Sequence, residues 1–424
     1  MMRVLRMRIL FLTPQLPYPP HQGTSIRNYN LIKNLAMRHE VYLLSFVHSI
    51  DELARAAPLR ECCREIEVVL APRRSTRQRF FSFFLSPKPD IALRLSSKEF
   101  ETRLAAALQR KRFDVLQVEG IEMGPYLEQG ARIREQGGKP LIVFDDHNAE
   151  YILQRRAFET DVRYILRWVG AFYSLVQWRK LGHYEAALCR LADRVIAVSE
   201  ADRWALQRLV PGLEVAVVPN GVDTEFYNDQ FPMTNDQSRF GHWDLVIGHY
   251  PLVFTGKMDF RPNVDAVLWF YRQVLPLIRR EIPDVHFYVV GRSPHRRILR
   301  LGEDPAVTVT GYVDDVRPYI AGAKVYVVPL RIGGGTRLKV LEAMAMGKAI
   351  VSTSLGCEGF QLKSGRELII ADKPERFALE VIGLLRDAPL RERLGRAARR
   401  FVKEHYDWRF IVPRLEQVYT HAGL

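Results

Sequence analysis

The chain has 424 residues, enough for two or three domains at about 150 residues each. With 47% hydrophobic and 26% charged residues it has the composition of a globular protein, and no run approaches the roughly 20 apolar residues of a membrane-spanning helix. A formal net charge of +14 favours anionic partners, whether nucleic acid, anionic lipid or phosphorylated ligands, without choosing among them.

Residues 1–20 look superficially like an export signal. However, Arg6 and Arg8 interrupt the apolar run, Pro14, Pro17, Pro19 and Pro20 follow it, and no small-residue cleavage site is visible. A cytoplasmic protein is therefore expected. Cys62, Cys63, Cys189 and Cys357 are too scattered for a disulfide framework, and the adjacent pair suits neither a bridge nor zinc spacing, so reduced thiols are predicted.

In chain order, residues 7–12 read as a buried strand feeding a Pro-rich loop, and residues 25–37 as a helix with Ile26, Tyr29, Leu31, Ile32 and Leu35 largely on one side. Residues 41–46 give the next strand, which makes a β-loop-α-β opening, the unit of a doubly wound sheet. Strands are predicted at 115–118, 141–144, 194–198 and 215–218, a long helix at 162–191, and a helix capped by Ser199. The polar stretch 228–243 reads as an interdomain linker. A second α/β series follows, with strands at 252–254, 285–290, 307–309, 325–328 and 349–352, and an amphipathic helix closes the chain at 407–422.

The segment Arg331-Ile-Gly-Gly-Gly-Thr-Arg-Leu-Lys-Val-Leu-Glu-Ala-Met-Ala-Met-Gly347 places three glycines between a strand and a helix predicted to begin near Thr336. Such a junction lets backbone amides approach a phosphate, and the helix dipole favours the anion. Arg337 and Lys339 in the first turn oppose that dipole, a penalty of roughly 0.3–1 kcal/mol each that a bound diphosphate would reverse. Lys339 and Glu342 share a helix face, expected to be the exposed one opposite Leu338 and Leu341, and pair a phosphate cation with a carboxylate suited to ribose hydroxyls. On the residues alone, a glycine-rich surface loop with a solvated Lys–Glu pair remains open as well.

The run from Gly333 to Gly347, with Leu-Glu-Ala-Met-Ala at its centre, resembles the donor motif of the retaining family-four glycosyltransferases. Arg8-Ile-Leu-Phe-Leu-Thr-Pro14 with Gly23, Ala192–Asp202, Pro219-Asn-Gly-Val-Asp223 and Phe254–Asn263 are similar to further segments of that family, in the same order. The resemblance implies an α/β, GT-B fold of two Rossmann-like domains facing across a cleft: residues 1–225 on the acceptor side, joined by a C-terminal helix at 405–424, and residues 226–404 binding the donor. It implies that Lys339 binds the diphosphate and Glu342 the ribose, with the loop residues Gly334, Gly335 and Thr336 assisting through the amides of the last two. Gly334 departs from the pattern: the family usually carries there a second glutamate that contacts the transferred sugar.

Other candidates have two readings each. His147, in Asp145-Asp-His-Asn148 at a strand end, is either a loop histidine satisfied by carboxylates or, as the resemblance implies, a residue facing the donor sugar. Gly23 is a turn glycine or one whose amide approaches the reacting groups. Arg261 and, more weakly, Lys257 are surface cations or diphosphate ligands, and Arg292 would lie near the base. Glu119 caps a helix or touches the acceptor. Asp145 and Asp146 lack the Asp-x-Asp setting of metal-dependent transferases, so no metal and no cofactor are expected, the nucleotide-sugar being a substrate.

The resemblance implies retention; since no carboxylate is obviously placed as a covalent nucleophile, a front-side displacement is expected, with stabilisation of the departing diphosphate as its main aid. A GT-B sugar-nucleotide epimerase and a degenerate, non-catalytic relative share the donor pocket and stay as alternatives. Nucleic acid is not an expected partner, because the charge is spread along the chain and no recognition motif is present. Arg73, Arg74, Arg77 and Arg79 run into Phe80-Phe-Ser-Phe-Phe-Leu85. This segment either packs in the N-terminal core or contacts an anionic membrane surface from the inner face, with a lipid-linked acceptor.

Overall fold

The computed structural model describes residues 6–135, 140–162, 168–228, 250–333 and 337–420. The chain divides into two compact units, one formed by residues 1–220 and 411–424 and the other by residues 221–410. The predicted linker 228–243 lies almost wholly outside the described residues.

The first unit contains strands β1 (Arg8–Thr13), β2 (Glu40–Val47), β3 (Cys63–Leu70), β4 (Val115–Glu119), β5 (Leu141–Asp146), β6 (Arg194–Ala197) and β7 (Val215–Val217). They form one parallel sheet in the order β3-β2-β1-β4-β5-β6-β7. The second unit contains β8 (Tyr250–Thr255), β9 (Val285–Val290), β10 (Val307–Gly311), β11 (Val325–Val328), β12 (Ile350–Ser352) and β13 (Ile369–Ile370), in the order β10-β9-β8-β11-β12-β13. Both sheets start at an inner strand, run outward one way, then return and run outward the other. This is the doubly wound Rossmann order, with its switch points between β1 and β4 and between β8 and β11.

Parallel strands carry helices on both faces and so read as continuous apolar runs. Ile9, Leu10, Phe11 and Leu12 are all buried in β1, as are Val325 to Val328 in β11. Two edge strands escape the sequence pattern, each for its own reason: one is interrupted by charge and the other is very short. β3 carries Arg64, Glu65 and Glu67, two of which pair with Arg110 at its solvent side, and β13 is only two residues long. The helix predicted at 162–191 is present as Trp168–Leu191, and a further helix that the sequence reading did not call, Glu150–Asp161, precedes it. The closing helix, Trp408–Thr420, begins in the second unit, and its remainder belongs to the first.

Residues 75–85 do not pack in the core. Ser75 opens the helix Thr76–Leu85 with a capping box, and Lys180 closes it by donating to the carbonyls of Phe83 and Ser86. Phe83 stacks on Tyr173, which leaves Phe80, Phe81 and Phe84 outward at 63%, 60% and 62% exposure. Arg74 and Arg79 turn to Asp90, while Arg73 and Arg77 are exposed. No helix among the described residues is long and apolar enough to cross a membrane.

Candidate functional site

In open α/β sheets, ligands bind beyond the carboxyl ends of the strands at the switch point. In the second unit that position is defined by the ends of β8, β9 and β11. The helix after β11 spans Leu338–Ala345, with Arg337 at its cap in an extended conformation. It thus starts two residues later than predicted, so only Lys339 opposes the dipole from within the first turn. Gly334, Gly335 and Thr336 lie outside the described residues.

Lys339 and Glu342 are half-buried, not on an exposed face as the sequence suggested. Their neighbours explain this. Lys339 Nζ donates to Asn263 Oδ1 at 3.0 Å and sits 4.0 Å from the centre of the Phe254 ring. Withdrawal of the ammonium from water, with Arg337 adding repulsion, pushes the Lys339 pKa down to about 7. Glu342 Oε1 accepts a 3.2 Å hydrogen bond from the Tyr227 hydroxyl. Burial raises the Glu342 pKa, against the opposing effects of Tyr227 and Lys339. Gly256, after β8, is required by close approach: a Cβ there would lie 2.8 Å from both Lys339 Nζ and Asn263 Nδ2.

Arg261 is an exposed first residue of the helix Arg261–Trp269, beyond β8. Arg292 follows β9 and is half-buried, its carbonyl accepting from Met258 N. Lys257 pairs with Asp259 at 3.4 Å. Lys339, Arg261 and Arg292 thus all stem from the same carboxyl edge of this sheet. The sequence did not single out Asn263 or Tyr227 as site residues. Asn263 was within a quoted segment, but its partner is 76 residues away, a pairing that only the fold supplies.

The first unit builds a different constellation at its own switch point. Gly23 is not in a loop; it is the exposed first residue of the helix Gly23–Leu35. From that helix Arg27, 1% exposed, reaches Asp145 Oδ2 through Nη2 at 2.7 Å and Nε at 3.0 Å. Burial, and secondarily the nearby Glu119 charge, raise the Asp145 pKa to about 6, while Arg27 opposes the rise. Arg27 stands four residues before Leu31 and eight before Leu35, on the buried stripe. A cation on an apolar stripe is the signal by which it was detectable.

Asp145 is the penultimate residue of β5 and His147 follows that strand. His147 Nε2 lies 2.7 Å from Glu119 Oε2 at the end of β4. Glu119 is fully buried, so it does not touch an acceptor; it stands behind His147. Burial would lower the His147 pKa, but hydrogen bonding to Glu119 and the charges of Glu119 and Asp145 outweigh it, and the net shift is upward. The loop after His147 is held on both sides. Glu185 accepts from the amides of Glu150 at 2.8 Å and Tyr151 at 3.2 Å, and Asp202 accepts from Ala149 N at 3.2 Å.

Glu119, Asp145 and His147 offer oxygen and nitrogen atoms within 4.8 Å of one another, a spacing that could hold a metal ion. Arg27 pairs with Asp145 Oδ2, while Asp145 Oδ1 has no hydrogen-bond partner among the described residues, and Glu119 Oε2 faces the imidazole nitrogen.

Two successive Rossmann-order sheets, the second with a cation and a carboxylate on the helix after a glycine segment, define a GT-B glycosyltransferase. Residues 21–226 match Glycosyltransferase Family 4 and residues 250–387 match Glycosyl transferases group 1. The chain belongs to the family-four glycosyltransferases. It is 32% identical over 232 residues to the phosphatidyl-myo-inositol mannosyltransferase of Mycolicibacterium smegmatis, a match spanning 53% of this chain and 56% of that one, about half the relative's length. Among solved structures it superposes on sucrose-phosphate synthase from Thermosynechococcus elongatus with a TM-score of 0.73 at 18% identity, covering 98% of each chain. It also superposes on Anabaena HepE in complex with UDP and glucose, with a TM-score of 0.64 at 15% identity, covering 97% of this chain and 99% of that one.

Proposed function

We propose that this glycosyltransferase moves a sugar from a nucleotide-sugar to an acceptor hydroxyl with retention and without a metal ion, in the assembly of a bacterial glycolipid or polysaccharide. In this reading Lys339 and Arg261 hold the diphosphate, Arg292 lies near the base, Glu342 holds the ribose hydroxyls, and His147 hydrogen-bonds the transferred sugar. The observation that carries it is the placement of Lys339: at the start of the helix after β11, half-buried against Phe254 and donating to Asn263, it is a cation withdrawn from water that an arriving anion would stabilise. Charge developing on the leaving diphosphate would be met by these cations and by the helix terminus, the electrostatic aid a retaining front-side displacement needs. The side-chain cations supply what a divalent ion supplies elsewhere, which favours activity in EDTA.

The acceptor class rests on two supports. The curated relative is a phosphatidyl-myo-inositol mannosyltransferase. In this chain, Phe80, Phe81 and Phe84 stand exposed beside Arg73 and Arg77, the aromatic and cationic make-up of a surface that rests on anionic lipid.

The test is a thermal-stabilisation screen of UDP-, GDP- and ADP-sugars in EDTA, since a ligand that binds only the folded state raises its melting temperature. One nucleotide series should stabilise the protein, and Lys339→Ala or Glu342→Ala should abolish the shift. If none stabilises it, or both variants respond as wild type does, the donor-site assignment fails.

A further inference from the structure

The first unit connects its C-terminal helix to His147 through a continuous line of buried hydrogen bonds. The Tyr419 hydroxyl, on Trp408–Thr420, donates to Gln117 Oε1 at 3.1 Å. Gln117 Nε2 donates to Glu119 Oε1 at 2.9 Å, and Glu119 Oε2 meets His147 Nε2 at 2.7 Å. Gln117 and Glu119 are fully buried and Tyr419 is 8% exposed, so water competes little for these bonds. Asn28, with its amide turned as its partners require, adds a second N–H to Glu119 Oε2 at 2.7 Å and donates also to the Thr24 carbonyl.

The geometry assigns proton positions. Asn28, Gln117 and His147 all present nitrogen to the Glu119 carboxyl, and the two amides can only donate there. A carboxylate surrounded by donors makes the imidazole Nε2 a donor too. His147 Nδ1, for which the described residues offer no hydrogen-bond partner, is then the atom left for a ligand. It accepts when the ring is neutral and donates when the ring is charged. The other charged groups near the ring are Asp145 on β5, Arg27 on the first helix and Glu150 on the helix that follows; Glu122 approaches Glu150.

We propose that Glu119, held by Gln117, Asn28 and Tyr419, is a positioning residue that fixes the ring orientation and tautomer of His147, presenting Nδ1 to a hydroxyl-bearing ligand, and that the C-terminal helix is part of this device. The ligand class rests on the sugar-transfer reading; the hydrogen-bonded chain itself does not. Fixing a ligand-contacting histidine through a buried carboxylate removes ring rotation that binding would otherwise have to freeze out.

The experiment is nitrogen-detected proton correlation NMR on histidine-labelled full-length protein across pH, with His147→Gln to assign the ring. Wild type should show the Nε2–H tautomer when neutral. Glu119→Gln, which keeps shape and removes charge, should lower the His147 midpoint by about one pH unit. Tyr419→Phe should lower it by less. His39 serves as a check on folding in both variants, because its Nε2 pairs with Glu416 on the same C-terminal helix at 3.0 Å and its signals should not move. An Nδ1–H tautomer in wild type, or an unchanged His147 midpoint in Glu119→Gln with His39 intact, would overturn the proposal. The result is separable from the sugar-transfer reading: full turnover by His147→Gln would remove His147 from that reaction while the coupling measured by NMR stood.

Discussion

The Arg27–Asp145 pair and Lys339 carry the largest consequences at the scale of single residues. Arg27 and Asp145 are both essentially inaccessible to water, at 1% and 0% side-chain exposure. Removing one partner strands a buried charge, so Arg27→Ala should destabilise the first unit by roughly 3–5 kcal/mol, read by urea unfolding. Loss below about 1 kcal/mol would mean that water reaches Asp145. Lys339 has the opposite linkage. Its folded pKa, about 7, is below its unfolded value, so the unfolded chain binds more protons above pH 7 and this residue's contribution to stability grows as pH rises from 7 towards 10.5. A diphosphate should return the proton. Calorimetry at pH 8 in buffers of different ionisation enthalpy should show uptake of nearly one proton on binding, and Lys339→Met should remove it. Binding of equal affinity with no uptake would show that Lys339 is not the phosphate ligand.

The elements show what could be read from the sequence and what could not. The strands on either side of both switch points were legible because parallel strands buried on two faces are unbroken apolar runs, as in Ile9–Leu12 and Val325–Val328. The strands β3 and β13 were not: Arg64, Glu65 and Glu67 break the apolar run of the first, and the second has only two residues, whereas the edge strands β7 and β10 keep short apolar runs and were read. Lys339 and Glu342 were legible as a motif, but their half-burial was not, because Asn263, Phe254 and Tyr227 come from distant segments. Likewise the sequence placed His147 at a strand end but could not place Glu119 behind it, since that pairing depends on β4 lying beside β5. The close approach at Gly256 gives an element-scale prediction. Gly256→Ala places a methyl 2.8 Å from Lys339 Nζ and should weaken nucleotide binding at least tenfold while leaving far-UV circular dichroism unchanged. Unaltered affinity would show that the β8 loop yields freely.

For the whole molecule, the net charge of +14 can act beside the exposed Phe80, Phe81 and Phe84 of the helix Thr76–Leu85. Arg74 and Arg79 are engaged with Asp90, so the variants that probe lipid contact are Arg73→Ala with Arg77→Ala, and Phe80, Phe81 and Phe84 to Ser. Wild type should co-sediment with phosphatidylglycerol vesicles at low salt and release as salt rises, and both variants should bind less. Equal binding by the serine variant would assign the contact to charge spread over the surface. Turnover decides whether sugar transfer runs through the second unit's cation–carboxylate helix. The nucleotide-sugar that stabilises the protein is incubated in EDTA with bacterial lipid extract as acceptor, and nucleoside diphosphate release is measured. Wild type should release it in an acceptor-dependent manner, with Lys339→Ala and Glu342→Ala each slower by at least about 100-fold, close to 2.7 kcal/mol of lost transition-state stabilisation. Release by Glu342→Ala at the wild-type rate, or a strict requirement for added magnesium or manganese, would contradict it.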